Sequence, residues 1–220
     1  TIMINEEDHL RIQAIFPALN LKKCWESINE IDDYIEKKVE YAFLPEFGYL
    51  TACPTNIGTG LRASVLINIP GIKFLKKEKK LFKTIEKIGI VIRGFYGEGS
   101  LPFGSIYQLS SSESTGKKEE KIIEELECVV KLVREEEKKA IEKIKENKNL
   151  KKKIYRKINE ILKGKEGKFL NLYYLISLGF TTKVLEISKR DLKNIFFSFL
   201  KGYENLNYFF YKKEGKILKR

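Results

Sequence analysis

Three short segments hold most of the residues able to do chemistry. In the first, Asn5-Glu6-Glu7-Asp8-His9-Leu10-Arg11, three consecutive acids run straight into a histidine and an arginine. Like charges repel in a strand or helix interior and asparagine favours turns, so this string predicts a turn that displays carboxylates. Taken alone, it reads equally as an acidic surface loop. The second runs Cys53-Pro54-Thr55-Asn56-Ile57-Gly58-Thr59-Gly60-Leu61-Arg62-Ala63-Ser64. Two glycines around a threonine let backbone N–H groups point inward, as an anion cradle requires. A thiol held beside cations gains thiolate character, although free cysteines usually serve as small buried hydrophobes. The third is Arg93-Gly94-Phe95-Tyr96-Gly97-Glu98-Gly99-Ser100. Here a flexible loop could swing one carboxylate, Glu98, over a bound ligand, and a solvated loop acid is the plain alternative.

Arginine usage adds to this. The chain of 220 residues has 35 lysines and only seven arginines, yet Arg11, Arg62 and Arg93 all fall in or beside these segments. A planar five-donor fork suits bidentate phosphate binding better than a flexible ammonium does. The net charge of +12 invites a nucleic-acid reading. The lysines, however, are spread among glutamates, and runs such as Lys117–Lys121 and Lys148–Lys153 read as solvated helix faces. Hydrophobic residues make up 43% of the chain, too many for a disordered one. Three cysteines without a CxxC, and a single histidine, argue against a disulfide framework or a zinc site. No apolar run approaches the ~20 residues that cross a bilayer, and no signal pattern opens the chain, so the cytoplasm is the default expectation.

The elements that must position these segments can be read from periodicity. Thr1–Ile4 reads as the end of a strand, as expected of a fragment. Leu21, Cys24, Trp25, Ile28, Ile31, Ile35, Val39 and Ala42 predict a helix from Asn20, its cap, to about Phe43. A short strand is expected over Gly48–Pro54 and another over Arg62–Ile69, ended by a Pro70-Gly71 turn. A basic helix to about Lys87, strands at Ile88–Ile92 and Ser105–Ser110, and a mobile loop at Gly94–Gly104 follow. Ile122, Leu126, Val129, Val130, Val133, Ala140, Ile141 and Ile144 then form one helical stripe. The expected class is α+β, a largely antiparallel sheet flanked by helices. A catalytic unit would span residues 1–147 and a small helical module residues 148–220, divided in the charged stretch Glu146–Lys153.

Together and in this order, NEEDHLR, CPTNIGTGLRAS and RGFYGEGS resemble the ATP:guanidino phosphotransferase family. Within it, GYLTACPTNIGTGLRASV, the glycine loop and GSIYQLS are most similar to the bacterial protein-arginine kinases. The resemblance implies transfer of the ATP γ-phosphoryl group to a guanidinium of arginine in proteins, with a small free guanidine as the alternative acceptor. A truncated fragment that only binds partner proteins is the alternative from another class. The resemblance makes Glu7 the catalytic carboxylate, Glu98 its partner, and Cys53 a thiolate that aligns the cation. Arg11, Arg62 and Arg93 would bind phosphates, and Ala63, Ser64, Val65, Leu66, Gly94, Phe95, Tyr96, Gly97 and Glu98 would line the nucleotide. His9 and Asn56 would support the site. Mg²⁺ would be held mainly through the phosphates, with no metal cage built from protein.

The same resemblance implies protein substrates with exposed arginine, a zinc-binding activator protein and Clp-type proteases in a stress-response setting. A homodimer is compatible with it; a membrane or nucleic-acid partner is not expected. The family also uses an upstream serine-arginine-x-arginine element that nothing in this chain matches. Weak ATP binding, and poor phosphate transfer or none, are therefore expected of the isolated chain. Its protein-arginine kinases carry a phosphoarginine-reading RDxxRA motif, of which Arg190-Asp191 keeps only the first two residues. Ser188-x-x-Asp191 explains that aspartate as a helix capping box.

Overall fold

A computed structural model describes residues 1–97, 99–112, 116–162 and 169–200. β1 (Ile2–Ile4) and β2 (Leu10–Ile12) form an antiparallel hairpin with Met3 opposite Arg11. The chain turns on Asn5, whose φ of 56° lies in the left-handed region that asparagine tolerates. Its N–H donates to the His9 carbonyl at 3.0 Å, which closes the acidic turn.

α1 (Leu21–Glu36) is shorter than its periodicity predicts. Tertiary pairing wins over the repeat: the chain turns back so that the Tyr41 hydroxyl donates to Asp32 at 2.9 Å. Phe43–Leu44 (β3) then pairs with Gly48–Tyr49 (β4), which leaves Val39 and Ala42 outside the helix. Asn20 stands at the cap position, but its amide donates to the Pro17 carbonyl at 2.6 Å instead of accepting from the helix. The strand expected over Gly48–Pro54 is confined to Gly48–Tyr49, and Pro54–Asn56 is a 3₁₀ turn.

β5 (Ser64–Asn68) leads into α2 (Pro70–Phe74) and α3 (Glu78–Glu86), followed by β6 (Ile90–Arg93) and β7 (Ile106–Ser111). The three strands form an antiparallel sheet in the order β5-β7-β6. α4 (Glu119–Glu146) lies against one face of it. Its stripe from Ile122 to Ile144 is buried as the spacing predicts, and Leu126 and Leu109 meet in the centre of a core that also takes Leu21, Ile85 and Ile90. Each such side chain contributes ~1.5–3 kcal/mol by leaving water, before the entropy of ordering it.

Pro70-Gly71 is no turn but the opening of α2. Proline suits the first helical position because its missing N–H would be unpaired there anyway. The next two N–H groups, of Gly71 and Ile72, donate to the two oxygens of Glu137 on α4 at 2.7 and 2.9 Å. Burial outweighs these bonds and pushes the Glu137 carboxyl up to about 7. Because the folded value exceeds the unfolded one, this stability is complete below pH ~4.5 and is lost as pH rises through ~7. Urea midpoints should fall across that window by the equivalent of at most about 3 kcal/mol. Glu137→Gln should flatten the slope.

The remaining helices are α5 (Lys148–Leu162), α6 (Phe169–Thr181) and α7 (Lys189–Leu200). Asn147 separates α4 from α5 and caps the latter, its side-chain oxygen accepting from the N–H groups of Asn149 and Leu150 at 3.0 and 3.1 Å. Ile141 and Ile144 at the end of α4 join Phe103, Ile106, Ile154, Ile158, Leu172, Leu178 and Ile195 in a second core. The expected box at Ser188 is present: Asp191 N–H donates to the serine oxygen at 3.1 Å, and the serine hydroxyl donates to the Asp191 carboxylate at 2.8 Å.

Candidate active site

The acidic turn and the cysteine segment are tied together directly. The Ala52 N–H, one residue before Cys53, donates to the Asp8 carboxylate at 2.7 Å. Glu7 and His9 flank that aspartate and are exposed. On β2 the Arg11 guanidinium donates to Glu6 at 3.3 Å. With its amide turned oxygen-inward, Gln13 accepts from the same guanidinium at 3.0 and 3.2 Å. The Arg11–Glu6 pair is solvent-accessible on both sides, so it is worth at most ~1 kcal/mol and yields readily to a stronger anion.

Cys53 sits at the N-terminal cap of the 3₁₀ turn, its carbonyl accepting from the Thr51 hydroxyl at 2.8 Å and the Asn56 N–H at 3.0 Å. Its sulfur lies 3.0 Å from the Thr55 hydroxyl. The loop beyond it is closed by a bridge between Tyr49 and Gly58, with N–H···O distances of 2.8 and 3.3 Å. This closure needs glycine: a Cβ on Gly48, itself at φ +83°, would come within 2.4 Å of the Gly58 carbonyl oxygen. Burial, followed by the charges of Glu36 and Asp32, raises the Tyr49 phenol above its ordinary value and keeps it protonated. Arg62 is exposed where the loop enters β5. The next residue, Ala63, is buried and anchored to β7, donating to the Ser111 hydroxyl at 3.1 Å and accepting from the Ser111 N–H at 3.0 Å.

In the three-stranded sheet, Leu66, Gln108 and Arg93 are directly opposed across β5, β7 and β6. Alternation then places Ser64, Leu66 and Arg93 on one face. Ala63 and Val65 instead belong to the core, so any contact they make with a nucleotide is through the backbone. The described residues of the segment after Arg93, expected as a mobile loop, are tied by hydrogen bonds into a turn. Gly97 N–H donates to Gly94 at 3.2 Å, Phe95 N–H to Leu101 at 3.2 Å, and the Ser100 hydroxyl to Gly97 at 2.7 Å while accepting from Tyr96 N–H at 3.1 Å. A Cβ on Gly94 would lie 2.1 Å from the Ser100 carbonyl oxygen. Glu98 lies outside the described residues; its neighbours Gly97 and Gly99 both have positive φ, at 99° and 70°.

A cleft of about 990 Å³ runs along β5, bounded by Ser64, Leu66, Phe95, Gln108 and a wall of α4. That is the upper end of the size range of small-molecule pockets, but its lining does not include Glu7, Arg11, Cys53, Arg62 or Arg93. The α4 wall brings Lys131, Arg134, Lys138 and Lys145 to the cleft, which the motifs did not indicate. Their signal was spacing: positions 131, 134, 138 and 145 share a helical face beside the apolar stripe. Among the described residues no three of His, Cys, Asp and Glu cluster as a protein-built metal cage would need. No helix among them is long and apolar enough to cross a membrane.

Residues 1–140 match the family model "ATP:guanido phosphotransferase, C-terminal catalytic domain". A protein-arginine kinase of Bacillus cereus (strain B4264) is 49% identical over 158 residues, covering 71% of this chain and 45% of the relative. One of Bacillus anthracis (strain CDC 684 / NRRL 3495) is 48% identical over the same share. The chain thus spans less than half the length of these curated relatives. Among solved structures, the duplicated taurocyamine kinase from Schistosoma mansoni with transition-state analog components superposes with a TM-score of 0.57 at 32% identity, covering 62% of this chain and 19% of that one. A lombricine kinase superposes with a TM-score of 0.55 at 31% identity, covering 62% and 38%.

Proposed function

The chain belongs to the ATP:guanido phosphotransferase family, and from that premise we propose that it moves the ATP γ-phosphoryl group onto the guanidinium of arginine residues in proteins. The observation that carries the reading is the Asp8–Ala52 hydrogen bond. It sets the turn bearing Glu7 beside the loop bearing Cys53, with Arg62 at the end of the same loop.

A guanidinium is a delocalised cation with a pKa above ~12 and is a poor nucleophile. In the proposed step the Glu7 carboxylate takes a proton from one guanidinium nitrogen. That nitrogen's electron pair forms the N–P bond while the bond from phosphorus to the β–γ bridging oxygen breaks, its electrons leaving on ADP. Glu98 holds the opposite edge of the guanidinium plane. Cys53 aligns the cation without bonding to it covalently. Because the transferring group is loose and anionic, the remaining stabilisation is electrostatic. Arg11, Arg62 and Arg93 supply it, with Ser64, Leu66, Phe95, Tyr96 and the backbone of Ala63, Val65, Gly94 and Gly97 lining the nucleotide. Mg²⁺, held through the phosphates and water, would add charge neutralisation between the β and γ groups. His9 and Asn56 serve the turns through their backbone bonds. The same reading places the chain in the cytoplasm with a zinc-binding activator protein and Clp-type proteases, in a stress-response setting.

Acceptor size is the point of choice. The names of the solved neighbours, taurocyamine kinase and lombricine kinase, favour a small guanidine, whereas the more similar curated relatives are protein-arginine kinases. Offering ATP with an unfolded arginine-bearing protein and free arginine together separates the two. Label on the protein is expected; label on free arginine alone would defeat the protein-kinase reading. The tie between the segments has its own test. Asp8→Ala should leave the fold intact and raise the alkylation rate of Cys53 by ~5-fold, since loss of a typical solvent-accessible hydrogen bond is worth about 1 kcal/mol. An unchanged rate would mean that Asp8 does not hold the loop.

A further inference from the structure

The second core reaches into the glycine loop. Phe95, two residues after Arg93, packs edge-on to Phe196 of α7 at 6.1 Å between ring centroids and against Phe103 at 5.5 Å. Phe196 also meets Phe103 at 5.7 Å and Tyr173 of α6 at 5.2 Å, and Tyr173 meets Phe103 at 5.8 Å. These four rings come from the loop itself, from its exit and from two helices of the C-terminal part of the chain. We propose that Phe196 is a positioning residue for the loop that carries Glu98, so that the helical region holds the loop in its closed turn.

The coupling is steric and local. Phe95 is the pivot of the turn: its N–H is bonded to Leu101, and Gly94 before it has no room for a side chain. Moving the loop as a unit therefore means withdrawing the Phe95 ring from its aromatic neighbours. Phe103 is buried and fixed at the loop exit, so it travels with the sheet. Phe196 and Tyr173 come from a distant part of the sequence, and Phe196 packs on Phe95 itself. A second tie keeps α6 in register with β5: Asn68 donates to Ser177 at 3.0 Å and accepts from the Ser105 hydroxyl at 2.5 Å. The helical region is thereby fastened both to the strand with Ser64 and Leu66 and to the turn after Arg93. Anything that shifts α7 would be felt at the loop. The catalytic meaning of this coupling rests on the proposed function, but the coupling itself does not.

Hydrogen exchange followed peptide by peptide on the whole chain tests it. In Phe196→Ala, amides of residues 94–101 should exchange ~10-fold faster, the loss expected when one ring leaves an aromatic cluster, while β7 and α5 keep their protection. Phe196→Tyr should restore the loop. Phe197→Ala is the control, because that ring touches Phe196 and is 45% exposed; it should leave the loop unchanged. Unaltered exchange at 94–101 in Phe196→Ala would overturn the proposal. Equal acceleration in β7 and α5 would also overturn it, since Phe196 would then be ordinary core. None of these readouts needs phosphate transfer, so the coupling and the proposed function stand or fall separately.

Discussion

Replacing Glu7 by glutamine is expected to lower the rate of arginine phosphorylation by ~10²–10⁴-fold, the usual contribution of a positioned general base. The substitution keeps size and shape and removes only the basic oxygen. Glu7 is exposed on a turn closed by backbone bonds of its neighbours, so stability should move by no more than ~0.5 kcal/mol. The effect should fall on kcat, with the ATP concentration at half-saturation nearly unchanged, because the carboxylate acts on the guanidinium and not on the nucleotide. Initial rates over a range of ATP, with a fixed unfolded acceptor protein, would show this. A variant that matched the wild type would remove Glu7 from the chemistry.

The second large effect is expected at Arg62. Arg62→Ala should reduce kcat by ~10³-fold or more, as loss of an arginine on a transferring phosphoryl group does elsewhere. Arg62→Lys should recover only part of this, because an ammonium keeps the charge but not the planar fork. Lys152 on α5 is the comparison: it is exposed and lies in a charge run, and Lys152→Ala should change nothing. If the two positions behaved alike, the contrast between scarce arginines and abundant lysines would have no functional meaning.

That contrast was legible in the sequence because it depends on residue type. So was the stripe of α4, where burial repeats at helical spacing and every predicted position is covered. Strand β5 was legible from its β-branched run, and it pairs antiparallel with β7 where a further strand was expected. What the sequence hid depends on partners far along the chain. Pro70-Gly71 carries the same residues whether it turns or opens a helix; the carboxylate of Glu137 decides, and nothing local announces it. The end of α1 was obscured because Val39 and Ala42 keep the helical period while Tyr41 is drawn back to Asp32. Glycines in the segment after Arg93 suggested freedom, but Gly94 is there because two backbones nearly touch, so it closes the turn. The grip of Phe196 on Phe95 could not be read from either local string.

At the candidate site, the three motifs supplied the candidates, and the fold supplied one link between two of the segments. Asp8 was simply one of three acids in sequence; in the structure it is the acid that reaches Ala52, which leaves Glu7 facing solvent. Arg93 and Leu66 were assigned to separate segments, yet they occupy one row of the sheet with Gln108 between them. The cations of α4 border the cleft along β5, whose lining does not include Arg11, Arg62 or Arg93.

In the proposed reaction a phosphoryl group ends on a guanidinium nitrogen under the control of Glu7. Mass spectrometry at neutral pH decides it, on an unfolded acceptor protein incubated with Mg-ATP and this chain joined to the upstream serine-arginine-x-arginine segment that the family uses. The account predicts phosphate on arginine side chains, labile to acid, and its near disappearance with Glu7→Gln. Phosphate on serine or threonine, or arginine phosphorylation that persists undiminished in that variant, would contradict it.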